Sequence, residues 1–203
     1  LITYRDRWRW FCAAFFYVWI LYFVTNQQTV IPAHPLPLTV IDARTPFLPW
    51  TGWIYALVFF MPLFACLAVK TDDDVRLLVV SFVGMTTVDT IFFAAYPTVY
   101  PRPAMAAGSL VALPMALVRF FDTAKNCFPS QHVSAAFLTA FHVRRLSPSW
   151  GPAFLLLAAA IAVSTLTTKQ HYLWDVIAGA LMAGAAYGLA LRRCTPNLCM
   201  TNR

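Results

Sequence analysis

Gly151–Leu191 reads GPAFLLLAAAIAVSTLTTKQHYLWDVIAGALMAGAAYGLAL, and its pattern decides the fold. Two apolar runs, Gly151–Leu166 and Tyr172–Leu191, flank a short polar stretch that contains Lys169 and His171. A bilayer-crossing helix needs about 20 apolar residues, within a range of about 17–25. Each run fits or nearly fits that length, so the chain is expected to cross twice and to leave Lys169 and His171 at one membrane face.

Working outward, the same pattern recurs at Trp8–Val24, Gly52–Val69 and Leu77–Tyr96, and in the shorter Ser130–Leu146, which is polar at both ends. Only 11% of the 203 residues are charged, against roughly 25% in soluble domains. This composition predicts an all-α membrane protein, folded as one domain over residues 1–203. The net charge of +7 does not point to nucleic acid. The basic residues lie in small groups between apolar runs, a pattern that suits membrane orientation and anionic lipid. Trp8–Val24 follows three arginines but lacks a small-residue cleavage site, and reads as a span rather than a signal peptide. Pro62 is expected to kink the second span.

Ala104–Phe121 is a seventh apolar stretch, interrupted by Gly108 and Pro114. With six spans and a cytoplasmic N-terminus, Arg5, Arg7, Arg9, Lys70, Arg76, Arg144, Arg145, Arg192, Arg193 and Arg203 are inside, and Arg44, Arg102, Arg119, Lys125 and Lys169 are outside, ten against five. A seventh span would make the split eight against seven. The positive-inside rule therefore predicts a six-helix bundle, both termini cytoplasmic, with Ala104–Phe121 as an extra interfacial helix between spans three and four. The plasma (inner) membrane is the expected location. Thr25–Trp50, with five prolines, is expected to be an irregular outer loop.

Ionisable residues inside a membrane are functional hypotheses by default. In this topology His132 falls in the first turn of the fourth span and His171 just before the sixth, both on the outer (periplasmic, extracellular or lumenal) face. Ser130 is a good N-cap, and the helix start offers free N–H groups to an anion. Asp175, four residues after His171, can fix the tautomer of its ring. One neutral histidine attacking phosphorus, a second giving a proton to the leaving alcohol, and nearby cations stabilising the phosphoryl oxygens would make a complete phosphate-ester machine. No metal and no cofactor are expected, since only Asp175 is close in sequence to the histidines. The five cysteines form no Cys-x-x-Cys pair and no zinc spacing. His34 and His142 read as interfacial polar residues. Asp89, inside the third span, is expected either to pair with Arg102 or Lys125 or to bind a polar group of the substrate.

Arg102-Pro103, Pro129-Ser130-Gln131-His132 and Ser164-x6-His171-x3-Asp175 resemble the three motifs of the type 2 phosphatidic acid phosphatase superfamily: Lys-x6-Arg-Pro, Pro-Ser-Gly-His and Ser-Arg-x5-His-x3-Asp. The resemblance covers roughly Tyr96 to Gly184. It implies that His171 is the nucleophile forming a phosphohistidine, that Asp175 orients it, that His132 is the general acid, and that Arg102 and Ser130 contact the phosphate. Ala95 stands where the first motif has Lys, Gln131 where the second has Gly, and Thr165 where the third has Arg. Lys169, Lys125 or Arg119 could replace the missing cations, with Lys169 favoured. These departures, and His171-Tyr172-Leu173-Trp174-Asp175, look more like the branch of inositol-phosphorylceramide and sphingomyelin synthases. The resemblance thus implies a membrane lipid phosphate as substrate and water or an alcohol as acceptor. A non-catalytic transporter or scaffold is the competing class. Oligomeric state is not legible.

Overall fold

Apolar side chains surround the long helices of this chain instead of lining a single face. In the computed structural model, which describes residues 2–105, 110–111 and 113–194, α1 (Arg7–Gln27) buries only Thr25 and Asn26 inside the protein. Its Phe16, Ile20 and Val24 are about three-fifths exposed at 61, 60 and 65%, a surface that suits lipid rather than water. Among the described residues, four helical stretches are long and apolar enough to cross a membrane: α1, Pro49–Ala68, Asp72–Ala95 (α5) and Leu173–Cys194 (α9). Two further helices complete the bundle, α7 (Gln131–Leu146, 16 residues) and α8 (Gly151–Thr167, 17 residues). At about 1.5 Å per residue they reach roughly 24 and 26 Å, a little short of a hydrocarbon core of about 30 Å.

Pro49–Ala68 is helical but uneven. Short 3-10 turns at Pro49–Thr51 and Leu57–Phe59 flank α3 (Gly52–Ala56), and α4 (Met61–Ala68) restarts with Pro62 in its first turn. The break thus comes just before the proline, which is tolerated where its missing N–H has no helical partner to lose. In the expected outer loop, Val40–Arg44 forms a short helix (α2) that the five prolines conceal. It exists because Thr39 and Asp42 make a reciprocal capping box, which satisfies two otherwise orphaned backbone donors. Asp42 also accepts from the Leu173 N–H at 2.8 Å, and Leu48 N donates to Thr167 O at 2.8 Å. The loop is thereby strapped over the turn between α8 and α9. Of the expected interfacial helix, Leu113–Phe121 (α6) is helical, while residues 106–109 and 112 fall outside the described residues, as do Cys199 and Arg203. Its Met115 fills the space left by Gly52, where a Cβ would lie 2.6 Å from the Met115 side chain.

At the centre stands α7, packed against α4, α5, α8 and α9. Towards α8 it presents Ala136 and Ala140, one turn apart, to Ala158 and Ile161. Small residues at this spacing let helix backbones approach closely. Towards α5 and α9, Leu138 and Val143 join Val75, Val79, Phe82, Met85 and Ala183. The Arg145–Asp74 ion pair, 2.6 Å long, ties the far end of α7 to the start of α5. At the near end the α9 backbone passes so close that a Cβ on Gly179 would sit 2.5 Å from Ser130 O. That approach fixes where the starts of α7 and α9 meet.

Candidate active site

Ser130 caps α7, its hydroxyl accepting from Val133 N at 3.4 Å, and its own N–H donates to Asp175 O on α9 at 3.0 Å. His132 is thus held at the second residue of α7. His171 comes from the other side, in the turn after α8. There Lys169 adopts φ 54°, the left-handed conformation that commonly ends helices, and Thr165 O accepts from Gln170 N at 3.0 Å and His171 N at 3.4 Å. Thr165, at the position of the motif arginine, is fully buried and holds this turn through its carbonyl.

The two imidazoles are in contact, His132 Nδ1 lying 3.3 Å from His171 Nε2. His171 Nδ1 faces two acceptors, Cys127 O at 3.0 Å and Asp175 Oδ2 at 3.3 Å. A carbonyl can only accept, so Nδ1 carries the hydrogen and the neutral ring keeps its lone pair on Nε2, toward His132. His132 Nδ1 then donates to that lone pair, and His132 Nε2 accepts from Tyr55 OH at 2.9 Å. The hydrogen bonds run in one direction, from Tyr55 through His132 and His171 to Asp175. Asp175 is fully buried and its Oδ2 also accepts from Tyr172 N at 2.8 Å, at the positive end of the α9 dipole. Its Oδ1 has no partner among the described residues. Tyr55, Phe59 and Tyr22 surround His132 with ring centroids 4.8, 5.8 and 6.3 Å away.

Arg102 donates from Nη1 to Asp122 O at 2.6 Å and from Nη2 to Asp122 Oδ2 at 2.8 Å. Asp122 Oδ1 accepts from Tyr22 OH at 2.6 Å and Asn26 at 2.9 Å. Burial pushes the Asp122 carboxyl above the ordinary carboxylate range, against the pull of Arg102, Tyr22 and the nearby His171. This pair therefore lies within electrostatic reach of the histidines.

The other candidates are placed elsewhere. Lys169, favoured as the substitute cation, turns back to donate to Asp42 O at 2.8 Å, and burial draws its ammonium below the usual lysine range. Lys125 donates to Gln28 O. With Lys125 and Arg102 both engaged, the expected partner for Asp89 is absent: both its oxygens are buried without a partner among the described residues. Gln131 makes a long contact, 3.4 Å, to Thr86 Oγ1. His142 is fully buried, not interfacial, with Nε2 2.9 Å from Ser81 Oγ.

Gln131, His132 and Asp122 line the polar end of a cavity of about 530 Å³ between α1, the α3–α4 stretch, α5 and α6. The rest of its wall is apolar, including Phe15, Trp19, Phe59, Phe82, Met85 and Leu117. Its size falls within the range of about 300–1,000 Å³ for small-molecule sites. Among the described residues, Cys127, His171 and Asp175 bring one potential metal ligand each within 4.8 Å of one another. Burial pushes the Cys127 thiol well up, and the His171 Nδ1 hydrogen is already shared between Cys127 O and Asp175, so a metal would have to displace two protons.

Sequence reasoning missed Tyr55, Tyr22, Asn26 and Asp122. Asp122 had a usable signal: it is one of eight acids, all Asp, and an acid between apolar stretches requires a buried cation or donors. Tyr55 had none, because an aromatic near a membrane face reads equally well as part of an interfacial belt.

No curated protein and no solved structure matches the chain significantly. The family model described as PAP2 superfamily matches residues 25–189, a span that takes in both histidines, Asp175, Arg102 and Tyr55. The chain belongs to the PAP2 superfamily, whose members are generally phosphatases and phosphotransferases.

Proposed function

We propose that this chain is an integral membrane lipid phosphatase that works through a phosphohistidine on His171. The observation that carries the reading is the 3.3 Å contact between His171 Nε2 and His132 Nδ1, with His132 also lining a mostly apolar cavity. A phosphate monoester on a hydrophobic tail matches both halves of that site. The headgroup enters between the rings and displaces their mutual hydrogen bond. His171 Nε2 attacks phosphorus, the P–O bond to the lipid alcohol breaks, and protonated His132 gives its proton to the departing oxygen. Asp175 and Cys127 O hold the Nδ1 hydrogen as the ring becomes cationic. Water, deprotonated by His132, then attacks phosphorus and breaks the P–N bond, releasing phosphate. No step requires a metal.

In this reading α7 and α8 cross as short spans, giving six, with α6 interfacial. Both termini are cytoplasmic and the histidines face the periplasmic, extracellular or lumenal side of the plasma (inner) membrane. The ten-to-five division of Lys and Arg supports this orientation.

Headgroup transfer is the second reading, favoured by the His171-Tyr172-x-x-Asp175 pattern and by the departures at Ala95, Gln131 and Thr165. There the donor is a phosphodiester: the P–O bond to its lipid alcohol breaks, His171 carries the phosphate with its headgroup, and an alcohol in place of water takes that group as the P–N bond breaks. Phosphate release by purified protein from phosphatidic acid, set beside transfer of a labelled headgroup from a phosphodiester lipid to an added lipid alcohol, separates the two. Release without acceptor supports the phosphatase. Release only as transferred headgroup supports the transferase. Turnover undiminished in His171→Ala refutes both and returns the chain to a transporter or scaffold.

A further inference from the structure

The superfamily motifs carry two cations that this chain lacks, at Ala95 and Thr165, and the lysines near the site are engaged by backbone carbonyls elsewhere. Arg119, on α6, is different. Its Nη1 donates to Pro103 O at 2.8 Å, so the backbone of the Arg102-Pro103 motif holds it. The Phe47 ring lies under the guanidinium, 5.9 Å from centroid to carbon. The remaining nitrogens, Nε and Nη2, are buried and have no partner among the described residues. These two lie along one edge of the guanidinium plane, the edge that grips two oxygens of a carboxylate or phosphate side by side. Arg102 Nε is also buried without a partner among the described residues.

Two guanidiniums close enough to repel each other are costly unless an anion joins them. Burial and the charge of Arg102 together draw Arg119 below the usual arginine range. Buried donors left without acceptors are costly, so Arg119 Nε and Nη2 and Arg102 Nε call for a ligand. The Asp122 carboxylate does not fill the need, since it is engaged by Arg102, Tyr22 and Asn26. Asp122 also accepts from Tyr22 OH at 2.6 Å, and the Tyr22 ring lies 6.3 Å from that of His132, which places the Arg102–Asp122 pair on the histidine side of the bundle.

We propose that Arg119 is a phosphate-binding residue, its Nε–Nη2 edge holding two phosphoryl oxygens beside Arg102 in place of the motif cations absent at Ala95 and Thr165. The inference rests on the phosphatase reading and refines it by naming the residue that supplies the missing charge. It also explains why α6 is built against α3: the packing of Met115 on Gly52 and Tyr55 holds the helix that carries Arg119 beside the tyrosine that contacts His132.

The test uses Arg119→Gln, Arg119→Lys and His171→Ala in the full chain, with orthovanadate as the phosphate analogue and thermal unfolding in detergent to confirm folding. Arg119→Gln is expected to raise the orthovanadate inhibition constant and to lower kcat/KM by about 10- to 100-fold, the worth of a charged bidentate contact. Arg119→Lys recovers only part of this, because an ammonium keeps the charge but not the fork. An unchanged orthovanadate constant in a folded Arg119→Gln, with His171→Ala inactive, overturns the role of Arg119 and leaves the phosphatase reading intact. If Arg119→Gln does not fold, an unchanged constant in Arg119→Lys overturns it equally. If His171→Ala stays active, or the unmodified protein neither releases phosphate nor binds orthovanadate, the phosphatase reading itself falls.

Discussion

Removing one oxygen from Tyr55 should weaken the chemistry without disturbing the fold. Tyr55 is fully buried and packs at a tilt against His132 with centroids 4.8 Å apart, so Tyr55→Phe keeps the ring and its packing. What it deletes is the 2.9 Å hydrogen bond to His132 Nε2. In the resting state that bond keeps the hydrogen of His132 on Nδ1, pointed at His171. Once His132 is protonated, the same tyrosine oxygen accepts from Nε2. Leaving a buried ring nitrogen without its partner costs about 1–3 kcal/mol, which corresponds to a rate loss of about 5- to 150-fold if it falls on the transition state. The loss should be concentrated where a proton donor matters. An alkyl lipid phosphate, with its basic leaving group, should slow by the full factor, while p-nitrophenyl phosphate should slow far less. Parallel assays of the two substrates, with thermal unfolding as a control, measure this directly. A folded Tyr55→Phe that turns over both substrates at the original rates, or loses both equally, refutes the role of Tyr55 behind a general acid.

Other outcomes follow from the same geometry. Asp175→Asn removes the charge that steadies the His171 ring and should cut kcat by roughly 10²–10⁴-fold in phosphate-release assays, with little change in KM. Gly179→Ala puts a Cβ 2.5 Å from Ser130 O, a backbone atom that cannot step aside cheaply. A destabilisation of about 1–3 kcal/mol is expected, with a fall in activity, because the starts of α7 and α9 are forced apart; a denaturation midpoint and activity both equal to the unmodified protein's would contradict that packing. Asp42→Ala removes the cap that accepts from Leu173 N and should cost about 0.5–2 kcal/mol, read as a lowered unfolding temperature with faster proteolysis of the α8–α9 turn.

What was legible in the sequence, and what was not, divides along a physical line. Helices were legible because apolar length and flanking charge are local properties: α8 and α9 begin and end within a turn of the expected spans, while α5 starts earlier than expected, at Asp72, because Thr71 and Asp74 cap it. The Ser130 cap and the His171–Asp175 pair were equally legible, since N-cap chemistry and an offset of four residues act within one turn. The destinations of long side chains were not. Lys169, one residue from Gln170 and two from His171, looked ideally placed, yet its left-handed backbone sends it to Asp42 O. Arg119 was one of three candidate substitutes for the missing cations, but its hydrogen bond to Pro103 O depends on how α6 packs and was not legible. Tyr55 acts across 77 residues of chain, a separation at which one sequence carries no signal. The short helix at Val40–Arg44 was hidden by prolines on either side, although its capping box was written in Thr39 and Asp42.

The central claim is that His171 becomes covalently phosphorylated during turnover. Purified protein mixed with phosphatidic acid labelled in its phosphate, quenched in alkaline detergent and mapped by mass spectrometry, tests this most directly. A base-stable, acid-labile phosphate on His171 in the unmodified protein, absent in His171→Ala, is the predicted result. Steady turnover with no label at His171, and with His171→Ala as active as the unmodified protein, would contradict it.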